Sequence, residues 1–299
     1  MKKMGKYASS YMRSNKAKRL LSIFINRHQE LSTYAQYLTR GAQLPEQRFA
    51  IVAGYRTGST LLADLINHHP DIFCDQEIFF PFIHSRYTHI QWPYLYMQGK
   101  SMSSPRRIYG FDLKPEQIMH ITSQQDHSLQ RILWTMHEGG WKIIYLQRSN
   151  LVRQVISNYL AIKRQHWHDR PGEPLKRQKI VVDMGILMKM LTRHGSIDQK
   201  AQEAMVNIPH LALSYESDLL NAAQHSGTAQ RVFEYLRVRS IPVKTAMKKI
   251  AASHLSDDIG NWDEVVENLS QSQYAHYLDF DLPFNDGQSG SIPMTGASI

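Results

Sequence analysis

The stretch Arg48-Phe-Ala-Ile-Val-Ala-Gly54-Tyr55-Arg56-Thr57-Gly58-Ser59-Thr60-Leu61-Leu62 decides how the chain is read. An apolar run closed by a glycine predicts a buried parallel strand. Leu61, Leu62, Leu65 and Ile66 then recur at helical spacing up to His68-His69-Pro70, where the proline ends the pattern. A glycine-flanked turn between strand and helix aims backbone N–H groups at one spot, and the helix dipole adds to them, which makes an anion site. Ser59 and Thr60 add hydroxyl donors and Arg56 a forked cation. An ATPase loop needs four residues between its glycines and then Gly-Lys-Ser/Thr. Here three residues separate Gly54 from Gly58 and no lysine follows. The turn reads as a phosphate cradle of another kind, or, taken alone, as an ordinary strand-to-helix connection.

A second segment supports the cradle. Ile143-Ile-Tyr-Leu-Gln-Arg148-Ser-Asn150-Leu-Val-Arg-Gln-Val-Ile-Ser157-Asn-Tyr-Leu-Ala161 reads as strand, turn and helix, with Asn150 as N-cap. Leu151, Val152, Val155, Ile156, Tyr159 and Leu160 form its apolar stripe, while Arg153, Ser157 and Arg164 fall on the polar side. Arg148 stands at the carboxyl end of its strand, where open α/β sheets bind ligands, and Arg148 with Ser157 can hold a second phosphate. Further strands are expected at 108–113 and 211–214. The alternation implies an α/β fold, a P-loop-like core whose central, mainly parallel sheet is flanked by helices, preceded by a basic N-terminal helix.

These residues resemble the sulfotransferases that use 3′-phosphoadenosine 5′-phosphosulfate (PAPS). Residues 55–62 are similar to that family's 5′-phosphosulfate loop, with Thr57 where serine is commoner, and Arg148 with Ser157 to its 3′-phosphate element. The spacing of that pair, with Gln154, Ala161 and Trp167, is most similar to the bacterial carbohydrate branch, which includes the trehalose and nodulation-factor sulfotransferases. Tyr215-Glu216 and the segment Leu255-Ser-Asp-Asp-Ile-Gly-Asn261-Trp-Asp-Glu264 look like that branch too. The likeness runs in patches over residues 48–280. It implies that Arg56, Thr57, Gly58, Ser59, Thr60, Arg148 and Ser157 bind PAPS, with adenosine 3′,5′-bisphosphate (PAP) as product and no metal required. The acceptor implied is a hydroxyl on a saccharide or glycolipid; 81–104 and 166–179, where an acceptor would lie, match nothing recognisable.

The implied reaction is in-line sulfuryl transfer. Loop N–H groups and Arg56 would stabilise the charge that develops on the leaving group. The acceptor must also lose a proton, which calls for a base near the loop. Glu77, in Asp71-Ile-Phe-Cys-Asp-Gln-Glu77-Ile-Phe-Phe80, occupies the place of that branch's glutamate base, and its apolar neighbours would raise its pKa. Asp75 is the nearby rival. One alternative is a P-loop kinase that uses Asp112 as a magnesium ligand, against which the missing loop lysine speaks. Another is a non-catalytic nucleotide- or lipid-binding protein.

Composition bounds the rest. The 299 residues, 42% of them hydrophobic, suffice for a full core. The lone Cys74 cannot form an internal disulfide, so a reducing, cytoplasmic setting is expected. The net charge of +9 is concentrated at one end: residues 1–30 hold eight Lys and Arg against Glu30 alone. A nearly neutral body argues against a nucleic-acid partner. Leu20, Leu21, Phe24, Ile25, Leu31, Tyr34, Tyr37 and Leu38 recur at helical spacing, so residues 1–44 read as a basic amphipathic arm. That arm either packs on its own domain or, through residues 1–40, touches an anionic membrane. Residues 45–282 form the main domain, and 283–299, rich in Gly, Ser and Pro, a loose tail. Pairs such as His68-His69 match no metal spacing, Gln91-Trp92-Pro93-Tyr94-Leu-Tyr96 is read as core, and Lys248 and Lys249 are left outside the site.

Overall fold

The computed structural model describes residues 2–39 (2–19 as backbone), 44–83, 89–122, 128–165, 178–245 and 254–278. The expected tail at 283–299, residues 166–168, Lys248 and Lys249 lie outside these.

A long helix, α1 (Lys2–Thr39), opens the chain, followed by β1 (Gln47–Ala53), α2 (Ser59–Asn67) and β2 (Ile72–Asp75). Next come α3 (Phe80–Ile83), α4 (Pro93–Ser101), β3 (Ile108–Leu113), α5 (Pro115–Ile121), α6 (Leu129–Glu138) and β4 (Trp141–Gln147). The remainder is α7 (Leu151–Arg164), α8 (Met184–Met205), β5 (His210–Ser214), α9 (His225–Tyr235) and α10 (Trp262–Ser270). The five strands form one sheet in the order β2-β3-β1-β4-β5, and every pairing is parallel. The four strands expected from sequence are present. The fifth, β2, was not expected; four residues are too few to show a period.

Parallel strands joined by helices must be covered on both faces, so their side chains are apolar throughout. Ala50, Val52, Phe111, Leu113 and Tyr145 pack one face against α4, α5, α6 and α8. Phe49, Ile51, Ala53, Ile144 and Leu146 pack the other against α2 and α9. A satellite core joins α7, α8 and α10. Pairing of Val52 with Leu113, Ala53 with Leu146 and Gln147 with Ser214 brings the carboxyl ends of β3, β1, β4 and β5 into line. The segments that follow those ends therefore meet along one edge.

The α1 helix docks by a largely polar face that also carries Tyr34 into the core. Asn26 Nδ2 donates to the Pro81 carbonyl at 2.8 Å, and Glu30 accepts from Tyr34 Oη at 2.7 Å and the Gln91 N–H at 3.0 Å. Gly99 of α4 lies so close to the Thr33 carbonyl that a Cβ there has no room. Leu20, Leu21, Phe24, Ile25, Leu31 and Leu38 face solvent. The helix expected from the periodicity is present, but its apolar positions divide: Tyr34 is buried in the core while those just named face solvent.

Candidate active site

The loop after β1 is held open by its own backbone. Gly58 is the N-cap of α2 at φ 91°, and no side chain caps the helix, so its first-turn N–H groups have no capping acceptor. A Cβ on Gly58 would lie 2.8 Å from the Tyr215 ring. Arg56 adopts a left-handed φ of 62°, costly for a residue with a side chain. Thr57, buried, donates its hydroxyl to the Gly54 carbonyl at 2.9 Å, which makes it a brace of the loop. Thr60 sits half-buried on the first turn of α2.

Sequence reasoning missed Lys114. It follows β3 directly, is 2% exposed, and reaches into the loop from the neighbouring strand. Its Nζ donates to Ser59 Oγ at 2.7 Å and to the Gly54 carbonyl at 3.3 Å, and pairs with Asp112 at 2.8 Å. Ser59 Oγ itself donates to Asp112 Oδ2 at 2.6 Å. The cation that the loop lacks in sequence is thus supplied in space. A polar residue kept immediately after a wholly buried strand, and before the proline that starts α5, was the available signal.

On the β4 side the second element comes into contact with the first. Arg56 Nε donates to Ser157 Oγ at 3.1 Å, and Arg148 Nη1 donates to the Arg56 carbonyl at 2.9 Å. Ser157 is buried, so the polar side of α7 is not a solvated face; Gln154, fully buried, donates to the Tyr55 carbonyl at 2.9 Å. Arg148 lies over the Tyr215 ring at 4.5 Å. Its Nε is buried without a hydrogen-bond partner, 3.8 Å from Glu216 Oε1. Burial pushes the pKa of both guanidinium groups down; Tyr215 opposes this for both, Glu216 also opposes it for Arg148, and the charge on Arg56 reinforces it there. Two adjoining, partly desolvated cations and an orphaned donor fit an anion. Glu216 accepts from the Ser149 N–H at 2.9 Å and so fixes the turn that carries Arg148. An open cavity of about 390 Å³ adjoins Arg148, lined by Gln147, Ser149, Asp198, Gln202, Ser214 and Tyr277 among others.

On the opposite side of the loop, Glu77 stands two residues past β2 and accepts from Gln117 Nε2 of α5, which also donates to Tyr55 Oη at 3.3 Å. Burial raises the Glu77 pKa, Lys114 opposes that, and Asp112 reinforces it. Asp75 faces other partners, Lys100 at 3.9 Å and Tyr109 Oη at 3.4 Å. From β2 to β5, then, the strand ends present Glu77, Lys114, the loop, Arg148 and Glu216 in spatial order.

Other expected features take structural parts. Arg164 pairs with the fully buried Asp258 at 2.7 Å, and Asn261 exchanges hydrogen bonds with the Val182 backbone at 2.8 and 3.0 Å. His69 is buried against the Arg239 carbonyl at 3.0 Å. In the aromatic segment Tyr96 is core, as read, whereas Trp92 is 55% exposed.

No protein-family profile and no curated protein sequence matches the chain. Among solved structures it is similar to a sulfotransferase from Alicyclobacillus acidocaldarius, at 13% identity and a TM-score of 0.46 over 79% of this chain and 92% of that one. It is also similar to a retinol dehydratase in complex with retinol and PAP, at 11% identity and a TM-score of 0.40 over 83% and 85%. A retinol dehydratase in complex with androsterone and the inactive cofactor PAP matches at 12% identity and a TM-score of 0.40 over 86% and 88%.

Proposed function

We propose that the chain is a sulfotransferase that moves a sulfuryl group from PAPS to an acceptor hydroxyl. The observation that carries this reading is the junction of two anion-receptive elements, Arg56 bonded to Ser157 and Arg148 bonded to the Arg56 carbonyl. A nucleotide with phosphates at both ends of its ribose matches such a junction; a linear triphosphate needs only the loop.

The loop N–H groups and Lys114 would meet the charge that grows on the bridging oxygen as its bond to sulfur breaks. Arg148, whose Nε lacks a hydrogen-bond partner, and Ser157 would hold the 3′-phosphate. Glu77, held by Gln117, would take the hydroxyl proton as the acceptor oxygen bonds to sulfur, giving a sulfate ester and PAP. The acceptor class carried by the sequence resemblance is a saccharide or glycolipid hydroxyl.

A second reading, a magnesium-dependent nucleotide kinase, draws on the Ser59–Asp112 contact, since a loop serine beside a strand-end aspartate is a metal-binding pair in such enzymes. Here the Lys114 ammonium sits on the same two oxygens. Incubating the protein with PAPS carrying radiolabelled sulfate, together with lipid, saccharide and small-metabolite extracts, tests the proposal. Label should appear in an extract component as a sulfate ester. Transfer of label from γ-labelled ATP with magnesium, and none from PAPS, would select the kinase.

A further inference from the structure

We propose that α1 is a docking helix for an anionic lipid bilayer. The inference stands apart from the catalytic reading and rests on which side of the helix the domain uses. At about 100° per residue, Leu20, Phe24, Leu31 and Leu38 share one narrow stripe. All four are exposed, by 58, 69, 62 and 69%. The residues buried against the domain, Asn26, Glu30, Thr33 and Tyr34, lie to one side of that stripe, with Tyr34 nearest to it. A helix that presented its apolar stripe to water for no purpose would be an aggregation liability. A helix that docks by hydrogen bonds and leaves its stripe free is mounted to offer that stripe elsewhere.

Charge selects the occupant. Residues 2–19 of the same helix hold seven Lys and Arg and no acid, and the first acid of the chain is Glu30. A second copy laid parallel along this stripe would bring two such cationic segments side by side, and one laid antiparallel would leave each without counter-charge at its own end, whereas a bilayer rich in anionic headgroups neutralises them. The helix lies on the bilayer and does not cross it, since among the described residues no helix is long and apolar enough to span one. The adjoining segments present two more exposed aromatic side chains, Trp92, whose ring packs 5.5 Å from that of Tyr34, and Phe80, next to the Pro81 carbonyl that Asn26 holds.

Co-sedimentation of the full chain with vesicles tests this. The protein should pellet with vesicles of equal parts phosphatidylcholine and phosphatidylglycerol and stay in solution with pure phosphatidylcholine. A Phe24→Glu, Leu31→Glu double variant should bind the anionic vesicles about tenfold more weakly, with an unchanged Tm because both side chains are exposed. Equal binding by variant and parent, or no pelleting by either, overturns the proposal. Sedimentation velocity without lipid supplies the other decisive outcome: a dimer that the same two substitutions dissolve assigns the stripe to a second copy and also overturns it.

Discussion

The Nε of Arg56 donates to the Oγ of Ser157 across 3.1 Å, joining the loop after the first strand to a helix 101 positions further along the chain. The contact is possible because β1 and β4 are neighbours in the sheet and end level with each other. It turns two anion-receptive elements, each modest alone, into one surface. Arg148 completes that surface by holding the Arg56 carbonyl, and with it the left-handed turn.

Arg148 should discriminate between nucleotides. Substitution Arg148→Ala removes a buried cation whose Nε lacks a hydrogen-bond partner, so PAP binding should weaken by about 2 kcal/mol, or roughly thirtyfold. Adenosine 5′-phosphate should lose far less. Calorimetric titration of both ligands checks this, and equal losses would remove Arg148 from the 3′-phosphate.

Glu77→Gln should lower kcat by about 100-fold or more while PAP affinity stays within about twofold. The base must be ionised to work, and burial raises its pKa. The acid limb of the kcat profile should therefore lie above the ordinary glutamate value of about 4.3 and vanish in the variant. Near-normal turnover would move the base elsewhere.

Gly58→Ala should damage the loop on two counts, a φ of 91° that alanine resists and a Cβ at 2.8 Å from the Tyr215 ring. A loss of about 1–2 kcal/mol in stability is expected from the backbone alone. Thermal unfolding with and without PAP reads it, and the ligand-induced rise in Tm should shrink as well.

Burial raises Asp198, which lines the cavity beside Arg148, to about 6 and Glu116 to about 7, and Glu116 Oε2 has no hydrogen-bond partner. Both folded values exceed the unfolded ones, so their contribution to stability is full below about pH 4 and fades as pH rises through 6 and 7. Glu116→Gln and Asp198→Asn should each raise stability at pH 8 by on the order of 1 kcal/mol after solvent screening, read as a higher Tm, with little effect at pH 4. A Tm difference independent of pH would contradict this.

The parts of the site written locally were legible. The β1–loop–α2 unit shows in an apolar run, two glycines and a helical leucine pattern within fifteen residues, and Asn150 caps α7 as read, accepting from the Arg153 N–H. What sequence could not supply was strand order. Lys114 becomes part of the loop only because β3 lies beside β1, and the objection that the loop lacks a lysine loses its force for the same reason. Periodicity likewise found the apolar stripe of α1, but a period does not say which side the domain will take. Ser59 and Thr60 read as hydroxyl donors and Thr57 entered through the resemblance; which partners those hydroxyls would find, Gly54 for Thr57 and Asp112 for Ser59, was not legible.

The central claim is that one nucleotide with phosphates at both ends spans the Arg56–Arg148 junction. Calorimetric titration of the unmodified protein with PAP, adenosine 5′-phosphate, adenosine 3′-phosphate and ATP with magnesium tests it most directly. PAP should bind at least about 100-fold more tightly than either monophosphate and than ATP with magnesium. Tighter binding of ATP with magnesium, or affinities for PAP and adenosine 5′-phosphate that coincide, would contradict it.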